Sequence, residues 1–397
     1  MPYYSLSEEQ SAHYQDFKSF VDEHVKPHAL QWDREEAIPD DIIHKVASKG
    51  YLEAICPIKL GGKGWDAVTY GLLNEAFGQG SSALTALFTV QNMVLSTLMR
   101  WGSQAQNEKW VPALKSGRTI ASFCLTEPKG GSDIQAITCE FSQQPDGGYL
   151  LNGTKKWITF GARSDLFLVF GKVGDQSLCG IVEKGSPGFT ITPIKDMLGF
   201  RGCHMGQLDF DDVVVSPENV IGKPGFALNY IAPLGLYYGR ISTTFNALGI
   251  IRGCLEEASG WLTTRRSGRR SIREYGQVQE MHAEIGMAYD TCWHVCLEAA
   301  LAYDEHQSDA MEKIIAAKYV TSRKAVEVSN KAVQLLAAHG CHGEYSLVPQ
   351  YFRDAKITEI IEGTTQALQG VISDMYLKRF RTQYVLLKQT DQYELQD

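Results

Sequence analysis

The sequence predicts an α+β protein, mostly α: an N-terminal α-helical domain, a middle antiparallel β domain and a C-terminal four-helix bundle. Three observations predict it. Apolar residues recur at helical spacing up to about Ser116; from Thr119 to Gly222 the pattern changes to short β-rich runs separated by turns; from Pro224 the helical period returns in long stretches. The domains read as 1–118, 119–223 and 224–381, followed by a polar tail over 382–397. A length of 397 residues suits that division.

In the first part, Ser7 followed by Gln10 has capping-box spacing, and Phe17, Phe20 and Val21 share one helical face before Pro27 interrupts. The turn Gly61-Gly62-Lys63-Gly64 lacks the Lys-Ser/Thr ending and the preceding strand of a phosphate loop, so it reads as a plain connection. Helix resumes through Ala67 to Leu73 and into the uncharged stretch Ala76 to Met99. That stretch is long enough to suggest a membrane span. Gln79, Ser81, Ser82, Thr85, Gln91, Asn92 and Ser96 would all need partners in lipid, so it reads as a buried helix and a membrane is not expected.

Strands are expected at Ile120 to Leu125, Tyr149 to Leu151, Trp157 to Phe160, Leu166 to Phe170, Phe189 to Ile194 and Gln207 to Val215. Pro145-Asp146-Gly147-Gly148 and Gly185-Ser186-Pro187-Gly188 punctuate them. The bundle helices are expected at Tyr230 to Trp261, Gln277 to Tyr303, Asp309 to Leu336 and Thr364 to about Arg379.

Composition removes whole classes of function. Acidic residues outnumber basic ones 46 to 38, a formal charge of −8, without any long Lys/Arg block, so nucleic acid is not an expected partner. The N-terminus lacks a basic and then apolar leader, which points to a cytoplasmic address, and nine scattered Cys read as reduced thiols. Cys292, His294 and Cys296, and the run His339-Gly340-Cys341-His342, lack two-cluster zinc spacing, so no metal is expected. Gly-x-Ser-x-Gly, His-Glu-x-x-His and dinucleotide fingerprints are missing.

Two stretches carry chemical promise. Thr126 to Asp133 places small residues and hydroxyls after a strand, suited either to a ligand's oxygens or to a solvated turn. Ile360-Ile361-Glu362-Gly363-Thr364 sets a carboxylate after two apolar residues, as a base in a dry pocket or as an acidic residue at a helix N-terminus. Trp157-Ile158-Thr159 offers a flat apolar surface with a hydroxyl beside it, for an aromatic cofactor or for the β core.

In their joint order these segments resemble the acyl-CoA dehydrogenase family of flavoproteins. The resemblance runs from the Pro57 to Gly64 turn, through Gly102-Ser103 and Trp110 to Gly117, Leu125-Thr126-Glu127-Pro128, Gly131-Ser132-Asp133, Lys156 to Thr159 and Phe210 to Val213, to Arg353 to Ile357 and Ile361 to Thr364. It implies FAD extended between the β domain and the bundle, with a second subunit of a homodimer or homotetramer covering its far end. Leu125 and Thr126 match positions on the pyrimidine side of the flavin; Trp157, Ile158 and Thr159 match its other edge and N5. Ser132 falls near the pyrophosphate or the thioester arm, Thr364 and Gln366 beside the adenosine. Gln334 matches the position that reaches the cofactor from the neighbouring subunit, Arg265 an arginine that pairs with the diphosphate, and Ala338 a turn where backbone approaches the adenosine.

Glu362 is then the general base that takes the α-proton of an acyl-CoA or carrier-bound thioester while the β-carbon gives a hydride to flavin N5, with Ile361, Gly363 and Arg240 around the substrate. An electron-transfer flavoprotein is the implied electron acceptor. Some relatives carry the base just before an arginine on the first bundle helix; here that place holds Gly239 before Arg240.

The chain departs from the pattern at Arg265 to Arg269, where an aromatic is missing, and at Ala337-Ala338, where two methyls replace a Gly pair. It departs again at Phe160, Ile361 and Cys203-His204-Met205. These changes suggest a short or polar acyl group, on CoA or on a carrier protein of a biosynthetic pathway. An oxygen-using oxidase or monooxygenase and a non-catalytic scaffold are the competing readings. Arg265, Arg266, Arg269, Arg270 and Arg273 form the basic cluster expected to meet an anionic partner, and Ala76 to Met99 the apolar floor of the acyl pocket.

Overall fold

The computed structural model describes residues 6–393, with side chains to Arg381. Six helices come first: α1 (Glu8–His24), α2 (Ala29–Glu35), α3 (Asp40–Ser48), α4 (Ala67–Gly78), α5 (Ser82–Trp101) and α6 (Gln104–Lys115). The Ser7/Gln10 capping box forms in both directions and starts α1. The uncharged stretch is not one helix. Its chain breaks after Gly78, and Ser81 restarts it by accepting a hydrogen bond from the Leu84 N–H. Its polar residues find protein partners: the Gln91 amide donates to the carbonyls of Leu114 and Thr119 and accepts from the Ala121 N–H, tying α5 to the first strand. By length and composition α5 could cross a membrane, but 94% of its apolar window is buried inside the fold.

The β domain holds β1 (Ala121–Cys124), β2 (Glu140–Gln143), β3 (Tyr149–Ile158), β4 (Leu166–Val173), β5 (Gln176–Glu183), β6 (Phe189–Pro193), β7 (Gly206–Val215) and β8 (Val220–Ile221). They pair in the order β6-β7-β3-β2-β4-β5-β8, antiparallel except for β1, which runs parallel to β4, and one parallel bridge between β2 and β4. The two strands expected at Tyr149 to Leu151 and Trp157 to Phe160 are one. Register shifts at Leu151/Gly153 and Lys155/Ile158, with Gly153 at φ +130°, break the alternation that would have marked β3 as continuous. β2 and β5 were hidden for opposite reasons: β2 exposes three of its four residues, and β5 is a buried run interrupted by Gly180.

The bundle comprises α7 (Ala232–Thr264), α8 (Gly276–Asp304), α9 (Ala310–Leu336), α10 (Val348–Thr358) and α11 (Thr365–Tyr393). α10 was not expected. α11 runs past Arg379, so the segment read as a tail from 382 has helical backbone as far as Tyr393. α7 is the central helix, packed against α4, α5, α8 and α9. Its approach to α4 depends on Gly249, where a methyl would collide with the Glu75 carbonyl and meet Gly78 Cα at 3.0 Å. One apolar cluster spans the N-terminal helices and the bundle, a second joins α5 and α6 to β1, β4, β5 and the start of α7, and a third fills the sheet. The three segments thus share cores rather than stacking as separate bodies.

Candidate active site

A cavity of about 50 Å³ opens where α5, α7, the end of β3 and the α10–α11 turn meet. Thr85, Ala86, Thr89 and Val90 come from α5, and Ser242, Thr243 and Asn246 from α7. Thr159, Phe200, Met205, Ile357, Ile361 and Glu362 complete it. The floor supplied by α5 is therefore half threonine, more polar than the sequence suggested.

Glu362 sits in the turn between α10 and α11 in left-handed backbone, φ +55°, and Gly363 follows at φ +97°. A non-glycine residue held there costs free energy that the surroundings must supply. Two cations supply it. Arg240 Nε donates to the Glu362 carbonyl at 3.3 Å, and the fully buried Lys318 donates from Nζ to the Gly363 carbonyl at 2.6 Å. The residue as a whole is half-buried, yet its Oε2 is closed to solvent and has no hydrogen-bond partner. Burial pushes the carboxyl up to about 7, against the opposing pull of Arg240 and Lys318. Burial likewise brings Lys318 down to about 8, with Glu362 pulling the other way.

Gly239 explains why the carboxyl fits. A Cβ there would lie 2.8 Å from Glu362 Oε1 and closer still to Cδ and Oε2. The α7 position that the family resemblance offers as an alternative place for the base is bare, and the space is filled by the Glu362 carboxyl.

On the β side, Trp157 stands at φ +61° with 48% of its surface open, next to the buried Ile158 and two residues from the cavity-lining Thr159. A large aromatic held open at a strand end fits the flat ring of the implied flavin. Ile158 points into the sheet core, so only its backbone is available to a cofactor. The strand end is fixed by the Lys156 N–H donating to the Thr126 carbonyl and by Ser122 Oγ donating to the Thr159 carbonyl at 2.8 Å. Leu125 packs in the core, and its carbonyl accepts from Lys155 Nζ at 2.9 Å. That buried ammonium also meets Glu127 Oε1 at 2.7 Å, and Glu127 accepts further bonds from Thr138 and Cys139. Burial raises the Glu127 carboxyl, but the hydrogen bonds outweigh it and hold it at about 2.

The remaining expected residues do not gather here. Ser132 is exposed on its turn; Thr364 caps α11 by accepting from the Ala367 N–H, and Gln366 is exposed beside it. Arg265, Gln334 and Ala338 are exposed at the other end of the bundle, where the Arg265 guanidinium lies over Trp261 at 5.2 Å. Trp261 is roughly 33 Å further along α7 than Gly239, at about 1.5 Å per residue. A single chain therefore divides the candidate residues between two ends of one helix. Of the Cys203-His204-Met205 segment only Met205 reaches the cavity.

Sequence reasoning missed Lys318, Asn246, Ser242 and the Glu127/Lys155 pair. Lys318 left a signal: it falls in the apolar stripe of Ile314, Ala317 and Ala325, where a lysine is out of place.

The chain's likeness to known proteins is extensive. The N-terminal, middle and C-terminal domains of acyl-CoA dehydrogenases match residues 7–118, 122–213 and 229–377. The chain is 30% identical over 372 residues to the human mitochondrial short-chain specific acyl-CoA dehydrogenase, covering 92% of this chain and 89% of that one. The solved butyryl-CoA dehydrogenase of Megasphaera elsdenii superposes with a TM-score of 0.89 at 28% identity, over 94% of this chain and 99% of the other. FkbI, a protein for biosynthesis of the methoxymalonyl extender unit of the polyketide immunosuppressant Fk520, superposes with a TM-score of 0.83 at 27% identity, over 92% and 99%. With all three domains matched in order around one buried carboxylate, the chain belongs to the acyl-CoA dehydrogenase family.

Proposed function

We propose that this protein is a FAD-dependent oxidoreductase acting on CH–CH groups, which introduces an α,β double bond into an acyl thioester with Glu362 as the base. The observation that carries this reading is the Glu362 carboxyl, closed to solvent, unpartnered at Oε2 and facing a cavity it shares with Thr159. A polar atom left unpaired inside a fold costs free energy, and a reacting substrate is the partner that justifies the cost.

FAD, when bound, would supply the hydride acceptor for the β-carbon. Glu362 takes the α-proton, and a value near 7 leaves much of it ionised at neutral pH while keeping it basic enough to accept. Its own backbone N–H, in the same turn, would polarise the thioester carbonyl, as a preorganised donor does where charge develops. Arg240 and Lys318 hold that turn by its carbonyls. Trp157 and Thr159 would lie along the flavin edge, and the Glu127/Lys155 pair fixes the loop that carries Leu125 and Thr126.

Arg265 at the far end of α7, Gln334 near the end of α9 and Ala338 just after it serve the cofactor of a second subunit in a homodimer or homotetramer. An electron-transfer flavoprotein is the acceptor in this reading, and rapid reoxidation of the reduced enzyme in air would instead favour an oxygen-using oxidase. The handle is CoA; a carrier-bound acyl group is the second reading, favoured by the likeness to FkbI and by the hydroxyls on the cavity wall. A cytoplasmic address accords with nine thiols that are all unpaired.

Glu362→Gln tests the assignment. The variant should keep FAD bound and the fold intact while flavin bleaching by a reactive thioester falls at least ~10³-fold, at the upper part of what a positioned base contributes. Bleaching at the wild-type rate would place the base elsewhere.

A further inference from the structure

Among the described residues lining the cavity, only two carry a buried side-chain atom without a hydrogen-bond partner: Glu362 at Oε2, and Asn246 at both Oδ1 and Nδ2. The first is explained by the chemistry above. The second is not, and Asn246 is only 1% exposed.

Three hydroxyl neighbours on the cavity wall are satisfied within the protein. Thr85 Oγ1 donates to the Ser82 carbonyl at 2.7 Å, Thr89 Oγ1 to the Thr85 carbonyl at 2.8 Å, and Ser242 Oγ to Asn74 Oδ1 at 2.7 Å. The Asn246 carboxamide is held instead by close packing: it lies over Gly78 of α4, where an added methyl would meet Oδ1 at 2.9 Å. An amide pinned in an apolar setting with neither donor nor acceptor used is poorly suited to a structural role, since an isosteric leucine would fill the same volume without the desolvation penalty.

Position along α7 says what the amide faces. Gly239, Ser242/Thr243 and Asn246 recur at helical spacing on the side of α7 turned to the cavity, with Gly239 against the Glu362 carboxyl. Asn246 stands two turns, roughly 10 Å, further along the axis. The carbons that react must lie at the Glu362 end, so the amide meets the distal part of the acyl chain.

We propose that the far end of this cavity is a polar recognition subsite, in which the Asn246 carboxamide hydrogen-bonds a hydroxyl, carbonyl or amide group near the end of the acyl chain. The substrate class is then a short acyl thioester functionalised at its far end, not a plain alkanoyl one. This rests on the thioester-dehydrogenase reading, and it names the substrate of the same site. A pocket built around a buried donor and acceptor rejects the analogue lacking them more strongly than an apolar pocket rejects an extra hydroxyl, because its own polar atoms stay unpaired.

The test uses the FAD-loaded enzyme and two isosteric pairs of CoA thioesters: 4-hydroxybutyryl against valeryl, and 5-hydroxyvaleryl against hexanoyl. Flavin reduction should favour the hydroxylated member of at least one pair by roughly ten-fold or more in kcat/KM. Asn246→Leu should erase or reverse that ratio and leave the thermal midpoint unchanged or raised; Asn246→Ser, smaller and still polar, serves if the leucine variant does not fold. Calorimetric affinity for the corresponding 2-enoyl products should follow the same order without turnover. Equal or better reduction by the alkyl members, or a ratio untouched by both substitutions, overturns the subsite while leaving the dehydrogenase reading standing. Reduction by none of the four thioesters sinks both.

Discussion

Replacing Gly239 by alanine should separate the position of the base from the stability of the fold. In the middle of a helix Gly→Ala stabilises by about 0.5–1 kcal/mol, because alanine has less backbone freedom to lose. Opposing this, the new methyl would lie 2.8 Å from Glu362 Oε1 and closer to Cδ and Oε2, whereas real Cβ atoms essentially never approach within 3.0 Å. The carboxyl must therefore move by several tenths of an ångström or more. It is the far end of a flexible side chain, so the move costs the fold little and offsets only part of the helix gain. Catalysis is less tolerant: a displacement of about 1 Å at a reacting group costs roughly 10²-fold, or about 2.7 kcal/mol in the barrier. The expected phenotype is a protein that binds FAD, melts within a few degrees of wild type, and bleaches its flavin roughly one hundred times more slowly. Stopped-flow reduction by a reactive thioester, with a thermal melt on the same sample, reads both quantities. Wild-type reduction in a folded Gly239→Ala protein would show that the base does not occupy the space Gly239 leaves.

Further outcomes follow from the buried charges of the structure. Glu362 must be ionised to accept a proton, so flavin reduction should rise with pH through about 7 and level off above it. Because this carboxyl is raised from its usual 4.5, its contribution to stability is complete below 4.5 and is lost as pH climbs through 7, the reverse of a salt-bridged carboxylate. Lys318→Met removes a charge that favours the ionised base and should move the rising limb of the rate profile to higher pH; a limb that stays put would mean that Lys318 only props the Gly363 carbonyl. Lys155→Met leaves the Glu127 carboxylate buried without its cation and should destabilise by roughly 3–5 kcal/mol, seen as a lowered urea midpoint and loss of FAD on gel filtration. Retained stability would show that the Thr138 and Cys139 hydrogen bonds suffice.

The long, strongly periodic elements were legible. α7, α8 and α9 begin and end within three residues of where the spacing put them, because helices that bury one face, or all faces, write that burial into the order of apolar residues. Elements whose pattern is set by something other than one buried face were not. β2 is mostly exposed, β3 changes register twice, and α10 is a short helix of eleven residues between two turns. The break at Gln79 to Ser81 was invisible for a related reason: both flanking helices are buried on all sides, so composition is continuous across the corner.

By itself the sequence determined the three-part architecture, the acidic character and, through the ordered motifs from Leu125 to Thr364, a resemblance strong enough to single out Glu362. Motifs hold their meaning in linear order, because neighbouring residues share a turn or a strand end. Tertiary structure alone decided what surrounds that carboxylate. Gly239, Asn246, Lys318 and Glu362 come from three elements spread over more than a hundred residues of chain, and only packing brings α7 and α9 against the α10–α11 turn. Packing also strips water from the carboxyl and sets its proton affinity. A residue's solvation is a property of everything around it, which is why no local spacing could reveal the orphaned amide at the far end of the cavity or the cations that hold the Glu362 turn.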